Sequence, residues 1–213
     1  RGEDVRVADR VLDAGCLLGP VEIGMAAAVG SAELLVHPRP RVGVLSTGDE
    51  LVGVHDAVGR GRVRDANGPL LAATVTAMGA RVVGMERVPD DPELIAAAVH
   101  RLAATSDLVV TSGGASVGEK DWLRVVVERE GSLTFWRIAM RPGKPVALGR
   151  VADTPIVVLP GNPGSVLACS HVVLGRALRR MAGACPDPAT RRATLATAVP
   201  GDPERTVVHP VRL

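Results

Sequence analysis

Four carboxylates, Asp49, Glu50, Asp90 and Asp121, each follow the end of an apolar run. RVGVLS leads into Thr47-Gly48-Asp49-Glu50, RVVGMERV into Asp90-Asp91, and DLVVTS into Ser112-Gly113-Gly114, Ser116 and then Asp121. Read as parallel strands, these runs bring their polar ends to one rim of a sheet, which is where open α/β sheets bind ligands. Carboxylates without neighbouring His or Cys suit a hard divalent ion such as Mg²⁺, which takes oxygen ligands and shares its shell with water and phosphates. Asp91, directly before Pro92, reads instead as a turn and helix-capping residue. His37, His55, His100, His171 and His209 have no zinc-ligand spacing, and no Ser, His and Asp fall in the order of a nucleophilic triad.

Groups that prefer anions lie nearby. The loop TSGGASVG places two glycines after a buried strand, so that backbone N–H groups can approach a phosphate at the start of a helix. It has neither the lysine of a triphosphate-binding loop nor the full dinucleotide fingerprint. WRIAMRPGKP gathers Arg137, Arg141 and Lys144 beside a Pro-Gly turn, and LPGNPGS stiffens Gly161-Asn162 between Pro160 and Pro163 ahead of a further helix. The combination calls for a phosphorylated or oxyanionic ligand bridged by a metal ion, with no covalent nucleophile.

The elements that position these groups alternate. After HPRPR come the strand RVGVLS, a helix over NGPLLAATVTAMG with Asn67 at its cap, the strand RVVGMERV, a helix opened by Pro92, and the strand DLVVTS. There follow a helix over EKDWLRVVVERE with Ser116 and Glu119 at capping-box spacing, strands around SLTFWRI and PVALGR, the strand PIVVLP, and a helix from about 165 to 181. This order predicts an α/β domain with a doubly wound, largely parallel sheet. The expected division is 1–38 as the tail of an N-terminal region with a short helix ending near Gly30, 39–183 as the α/β domain, and 184–213 as a linker and the start of an incomplete β domain.

Composition narrows the function. The 213 residues are 46% hydrophobic and 23% charged, as in an ordinary folded protein, and 25 basic against 23 acidic residues leave a net charge of only +2. Trp122, Phe135 and Trp136 are the only aromatics besides His, too few for base-stacking platforms, so nucleic acid is not the expected partner. No apolar run is long enough to span a bilayer, and a cytoplasmic, membrane-free protein is expected. Cys16, Cys169 and Cys185 fit neither a disulfide framework nor a zinc site.

In order along the chain, STGDEL (46–51), RDAN (64–67), PDDP (89–92), TSGGASVGEKD (111–121), FWRIAMRPGKP (135–145) and LPGNPGS (159–165) resemble the motifs of the molybdopterin molybdenumtransferase family, which includes the E domain of gephyrin. The resemblance implies the fold of that family's molybdopterin-binding domain. It also implies insertion of molybdenum from molybdate into adenylylated molybdopterin, with Mg²⁺ required and AMP released. It casts Asp49, Glu50, Asp90 and Asp121 as catalytic residues, with Glu50, Asp90 and Asp121 holding the metal. Substrate-binding residues would be Thr47, Asn67, Ser112, Gly113, Gly114, Ser116, Arg137, Arg141, Lys144, Pro160, Gly161, Asn162 and Pro163. A homodimer of the longer protein and an upstream molybdopterin adenylyltransferase as partner are implied too. The alternatives are the adenylyltransferase itself, whose loop carries Thr after the glycines where this chain has Ala115-Ser116, and a peptide-binding scaffold of the gephyrin E type.

Overall fold

The computed structural model describes residues 4–113, 121–187 and 190–211. Six strands form the main sheet in the order β4-β1-β5-β9-β8-β6: β1 (Arg41–Thr47), β4 (Arg81–Val88), β5 (Leu108–Ser112), β6 (Gly131–Trp136), β8 (Ala147–Val151) and β9 (Thr154–Leu159). The first four in that order run parallel, while β8 and β6 are antiparallel to their neighbours. The short pairs β2 (Leu51–Val52) with β3 (Val63–Arg64) and β7 (Met140–Arg141) with β10 (Thr206–Val207) lie outside this sheet.

Strand β1 is buried from Val42 to Thr47 and all of β5 is buried, because helices cover both faces. Against one face lie α3 (Pro92–Ala103) and α4 (Trp122–Glu130), packing Ile95, Val99, Leu102, Leu123 and Val126 onto Leu45, Val109 and Ile156. Against the other lie α2 (Asn67–Ala77), α5 (Pro163–Cys169) and α6 (Gly175–Met181), packing Leu71, Val75, Val166 and Leu178 onto Val44, Val110 and Val157. The buried positions of α3, Ile95, Ala96, Ala98, Val99, Leu102 and Ala103, recur at the 3.6-residue period of a one-faced helix. A further helix, α1 (Pro20–Ala28), precedes the sheet and closes at Gly30, as its glycine signal predicts.

Three local expectations change. Ala66, not Asn67, occupies the cap position of α2; Asp65 Oδ1 accepts from the Gly68 N–H at 2.9 Å and supplies the capping bond, which frees the Asn67 side chain. Helix α4 begins at Trp122, with Asp121 as its cap, while Ser116 and Glu119 of the expected capping box lie outside the described residues. The helix expected over 165–181 starts at Pro163 and contains a π-helical turn over Ser170–Leu174 between α5 and α6. The hairpin joining β8 to β9 turns through Ala152 (φ +46°) and Asp153 (φ +64°), the two successive left-handed residues of a tight type I′ connection.

Candidate active site at the carboxyl edge of the sheet

Because β1, β4 and β5 are parallel, their carboxyl ends deliver Thr47-Gly48-Asp49-Glu50, Asp90 and Ser112-Gly113 to one edge, as the sequence predicts. The crevice between β1 and β5 lies where the chain, having placed β4 on one side of β1, continues on the other, the position at which such sheets bind ligands. Gly113 sits there at φ +99°, and a Cβ on it would stand 2.1 Å from the Thr47 carbonyl oxygen. Only glycine permits this closeness of the two strand ends.

Asp49, Glu50 and Asp90 form one acidic group. The Asp90 N–H donates to Asp49 Oδ1 at 3.1 Å, and an arginine of the β2–β3 region, Arg62, donates to the Asp49 carbonyl. Burial, with the charges of Asp49 and Glu50 added, holds the Asp90 carboxyl above its ordinary pKa. Thr47 Oγ1 approaches that carboxyl without closing a hydrogen bond, and both Thr47 Oγ1 and Asp90 Oδ1 are buried and unpartnered. Asp91 turns away as the cap of α3, accepting from the N–H groups of Glu93 at 2.9 Å and Leu94 at 3.0 Å.

Asp121 belongs to a second group. Its Oδ1 accepts from the Arg124 N–H at 3.0 Å, its Oδ2 is buried without a partner among the described residues, and burial pushes its pKa up to about 6 against the opposing charges of Arg124 and Arg137. The charges that act on Asp121 are those of Arg124, Arg137 and Glu128, whereas those that act on Asp90 are Asp49 and Glu50. Among the described residues no three Asp, Glu, His or Cys side chains are grouped to hold a metal. Mg²⁺ commonly takes only one or two carboxylates, with substrate phosphates and water completing its shell. Asp90, with an unpartnered buried oxygen and two like charges beside it, has the chemistry for such a shared site with Glu50 and Asp49.

Arg137 and Lys144 line an open cavity of about 590 Å³, bounded also by Ile138, Ala139, Glu204 and Arg205. Arg137, Arg141 and Lys144 form no ion pair among the described residues, whereas Arg41, Arg101 and Arg129 are each paired with a carboxylate. Their turn is fixed from below: Gly143 (φ +110°) lies so close to Cys169 that a Cβ would come within 2.3 Å of the sulfur. Burial pushes that thiol up to about 11, so Cys169 is core packing and not a nucleophile. The third wall is the loop after β9, where Pro160 is buried and Asn162 caps α5 by accepting from Gly164 N–H at 3.0 Å and Ser165 N–H at 3.4 Å. Asn67 Nδ2 reaches across to donate to the Gly161 carbonyl at 2.7 Å, leaving its Oδ1 buried and unpartnered. Gly161 in turn approaches Gly113, a Cβ on the former standing 3.6 Å from the latter's Cα.

Of the expected site residues, Thr47, Asp49, Glu50, Asp90, Asn67, Ser112, Gly113 and Gly161 thus gather about the β1–β5 crevice. Asp121, Arg137, Arg141 and Lys144 lie along the neighbouring stretch of the same edge, and Gly114 and Ser116 fall outside the described residues. Sequence reasoning misses Ser46 and Thr111, whose hydroxyls are also buried and unpartnered, because single hydroxyls within apolar strands read as filling. It also misses Arg205, brought to Lys144 only by the pairing of β10 with β7.

Residues 43–180 match the family model described as "Probable molybdopterin binding domain". Molybdopterin molybdenumtransferase 2 of Mycobacterium tuberculosis is 43% identical over 193 residues, covering 88% of this chain and 47% of that protein. Molybdopterin molybdenumtransferase of Haemophilus influenzae is 37% identical over 182 residues, covering 85% and 45%. Among solved structures, a molybdopterin biosynthesis MoeA protein of Pyrococcus horikoshii matches at TM-score 0.73 and 31% identity, over 81% of this chain and 43% of that one. The chain spans under half the length of the curated relatives it matches.

Proposed function

The chain belongs to the molybdopterin-binding domain family, and from that membership we propose that its carboxyl edge is the site at which molybdenum from molybdate is inserted into adenylylated molybdopterin, with release of AMP. The observation that carries this is where unsatisfied polarity lies. Buried polar atoms in native proteins are nearly always partnered. Six of the seven unpartnered buried side-chain atoms among the described residues belong to Ser46, Thr47, Asn67, Asp90, Thr111 and Asp121, at or beside the carboxyl ends of β1, β4 and β5. A ligand rich in hydrogen-bonding groups satisfies them.

In this reading residues 39–183 form the binding domain, flanked by 1–38 and 184–213. Asp90 and Glu50, with Asp49 beside them, hold Mg²⁺, which neutralises phosphate charge when bound. Asn67, Gly113 and Gly161 shape the crevice and present backbone and amide groups to the substrate. Arg137, Arg141 and Lys144 receive the phosphate and stabilise the charge that develops as AMP departs. Asp121, holding its proton to a higher pH than an exposed carboxyl, can donate to a leaving oxygen or accept from an attacking water. The longer protein acts as a cytoplasmic homodimer downstream of the adenylyltransferase.

Titration calorimetry with molybdopterin adenylate, with and without Mg²⁺ and with ATP as control, tests the proposal. The expected result is adenylate binding that tightens with Mg²⁺ and weakens at least tenfold in Asp90→Asn, with little response to ATP. Tight binding of ATP in preference to the adenylate would instead assign the site to adenylyl transfer.

A further inference from the structure

Arg137 is the one member of the basic group whose backbone is unusual. It adopts φ +68°, a region that non-glycine residues rarely occupy, and is held there by its N–H donating to the Val146 carbonyl at 2.9 Å and by the next N–H, of Ile138, donating to Lys144 at 3.0 Å. Its guanidinium carbon lies over the ring of Trp136, 5.7 Å from the ring centroid. The guanidinium carbon of Arg124 lies over the same ring at 5.4 Å. Indole is the ring that attracts cations best, and both distances fall within the range of that attraction.

Trp136 is half-buried and packs against the core beneath α3 and α4. Arg124 stands in the first turn of α4, its N–H already given to Asp121 and its Nε to Glu128 at 2.9 Å. Arg137 has no carboxylate partner among the described residues and lines the open cavity with Lys144 and Arg205. The ring therefore joins a helix start, anchored in the core, to a cation facing the cavity.

We infer that Trp136 is a positioning residue, its indole stacked with Arg124 and Arg137 so that the Arg137 guanidinium stands ready to receive the phosphate of the substrate. The inference rests on the phosphate reading of the basic cavity given above, and it assigns a role to a residue that never touches the ligand. It deepens that reading in one respect: phosphate affinity at this edge depends on the electron density of a neighbouring ring, and not only on the charges that face the cavity.

The test uses AMP as probe. Trp136→Leu weakens AMP binding roughly two- to fivefold, the loss that one exposed cation–ring contact accounts for, and Trp136→Phe restores part of it. In a Trp122→Phe background, where Trp136 is the only indole, progressively fluorinated tryptophans keep the ring's shape while draining its electron density. AMP affinity should then fall in steps with each fluorine while the melting temperature stays level. Affinity that follows the melting temperature, or does not respond to fluorination, overturns the positioning role. Proton NMR of the Arg124 and Arg137 side chains separates the two ways of failing. Absence of ring-current shifts refutes the stack itself. Ring-current shifts in a chain that binds no AMP refute the phosphate reading and, with it, the functional half of the inference.

Discussion

At Asp121 one carboxylate oxygen closes the first turn of α4 while the other is buried without a hydrogen-bond partner among the described residues, and burial raises the pKa to about 6. Folded, the group keeps its proton to about that pH; unfolded, it loses it near the ordinary value of 3.8. Between those limits the folded state binds the extra proton, so stability is highest below them and falls as pH rises. For a half-buried group screened by solvent, the loss is on the order of 1–2 kcal/mol. Asp121→Asn keeps an oxygen for the cap and removes the charge. It should melt with the unaltered chain near pH 4 and a few degrees above it at pH 7. An equal difference at both pH values would refute the assignment. The same residue marks how far side-chain roles are legible in a sequence. Its type and its place after a glycine loop single it out, but the partition between an acidic group at Asp90 and a mixed-charge group at Asp121 depends on contacts between distant segments. Asn67 makes the point differently: its spacing fits a cap, yet Asp65 takes that bond and Asn67 spans to Gly161, 94 residues away.

Helix starts at the site edge follow short-range chemistry, and that of α3 is readable for that reason. Asp91 before Pro92 caps α3, as its context suggests, and Asn162 before Pro163 caps α5. Replacing either with Ala should cost about 1 kcal/mol, or some 2–4 °C in melting temperature for a domain of this size. The two should separate in ligand binding. Asp91→Ala leaves AMP affinity unchanged, whereas Asn162→Ala weakens it, because its loop carries Gly161 and, through that carbonyl, the Asn67 bridge. Calorimetry on both variants, alongside their melting curves, decides this; equal affinities would mean that the loop does not shape the site. The π turn at Ser170–Leu174 left no trace in the sequence, since SHVVLGR patterns like any buried helix and the extra residue in the turn is accommodated by packing against α2 and the sheet. Helix α4 starts at Trp122 with Asp121 as its cap, and the expected capping-box pair Ser116 and Glu119 lies outside the described residues.

For the molecule as a whole, alternation of strand and helix predicts a doubly wound sheet, and the parallel core with its carboxyl-edge site follows from it. Strand order is another matter. Apolar patterns say that β1, β5 and β9 are buried, but not that β1 stands between β4 and β5 or that β8, between β9 and β6, runs against both. Such facts are settled by crossover handedness and by the fit of two helical layers. The antiparallel side has a consequence for the order in which the chain assembles. Strands β8 and β9 meet across two residues, whereas pairing β1 with β5 must first close a loop from Val42 to Leu108, at a greater cost in chain entropy. A natural nucleus is therefore the Ala152-Asp153 hairpin with β6 laid beside it, onto which the long parallel pairings condense. Alanine is a poor occupant of the left-handed position at Ala152, and Asn-Gly is the preferred pair for such a turn. The double replacement Ala152→Asn, Asp153→Gly should stabilise the chain by about 0.5–1 kcal/mol. In stopped-flow refolding nearly all of that gain should appear as faster folding, with the unfolding limb unmoved. A gain expressed as slower unfolding would place the hairpin among the last parts to form, and the speed at which the carboxyl edge is assembled would then be set by the closing of β1 on β5.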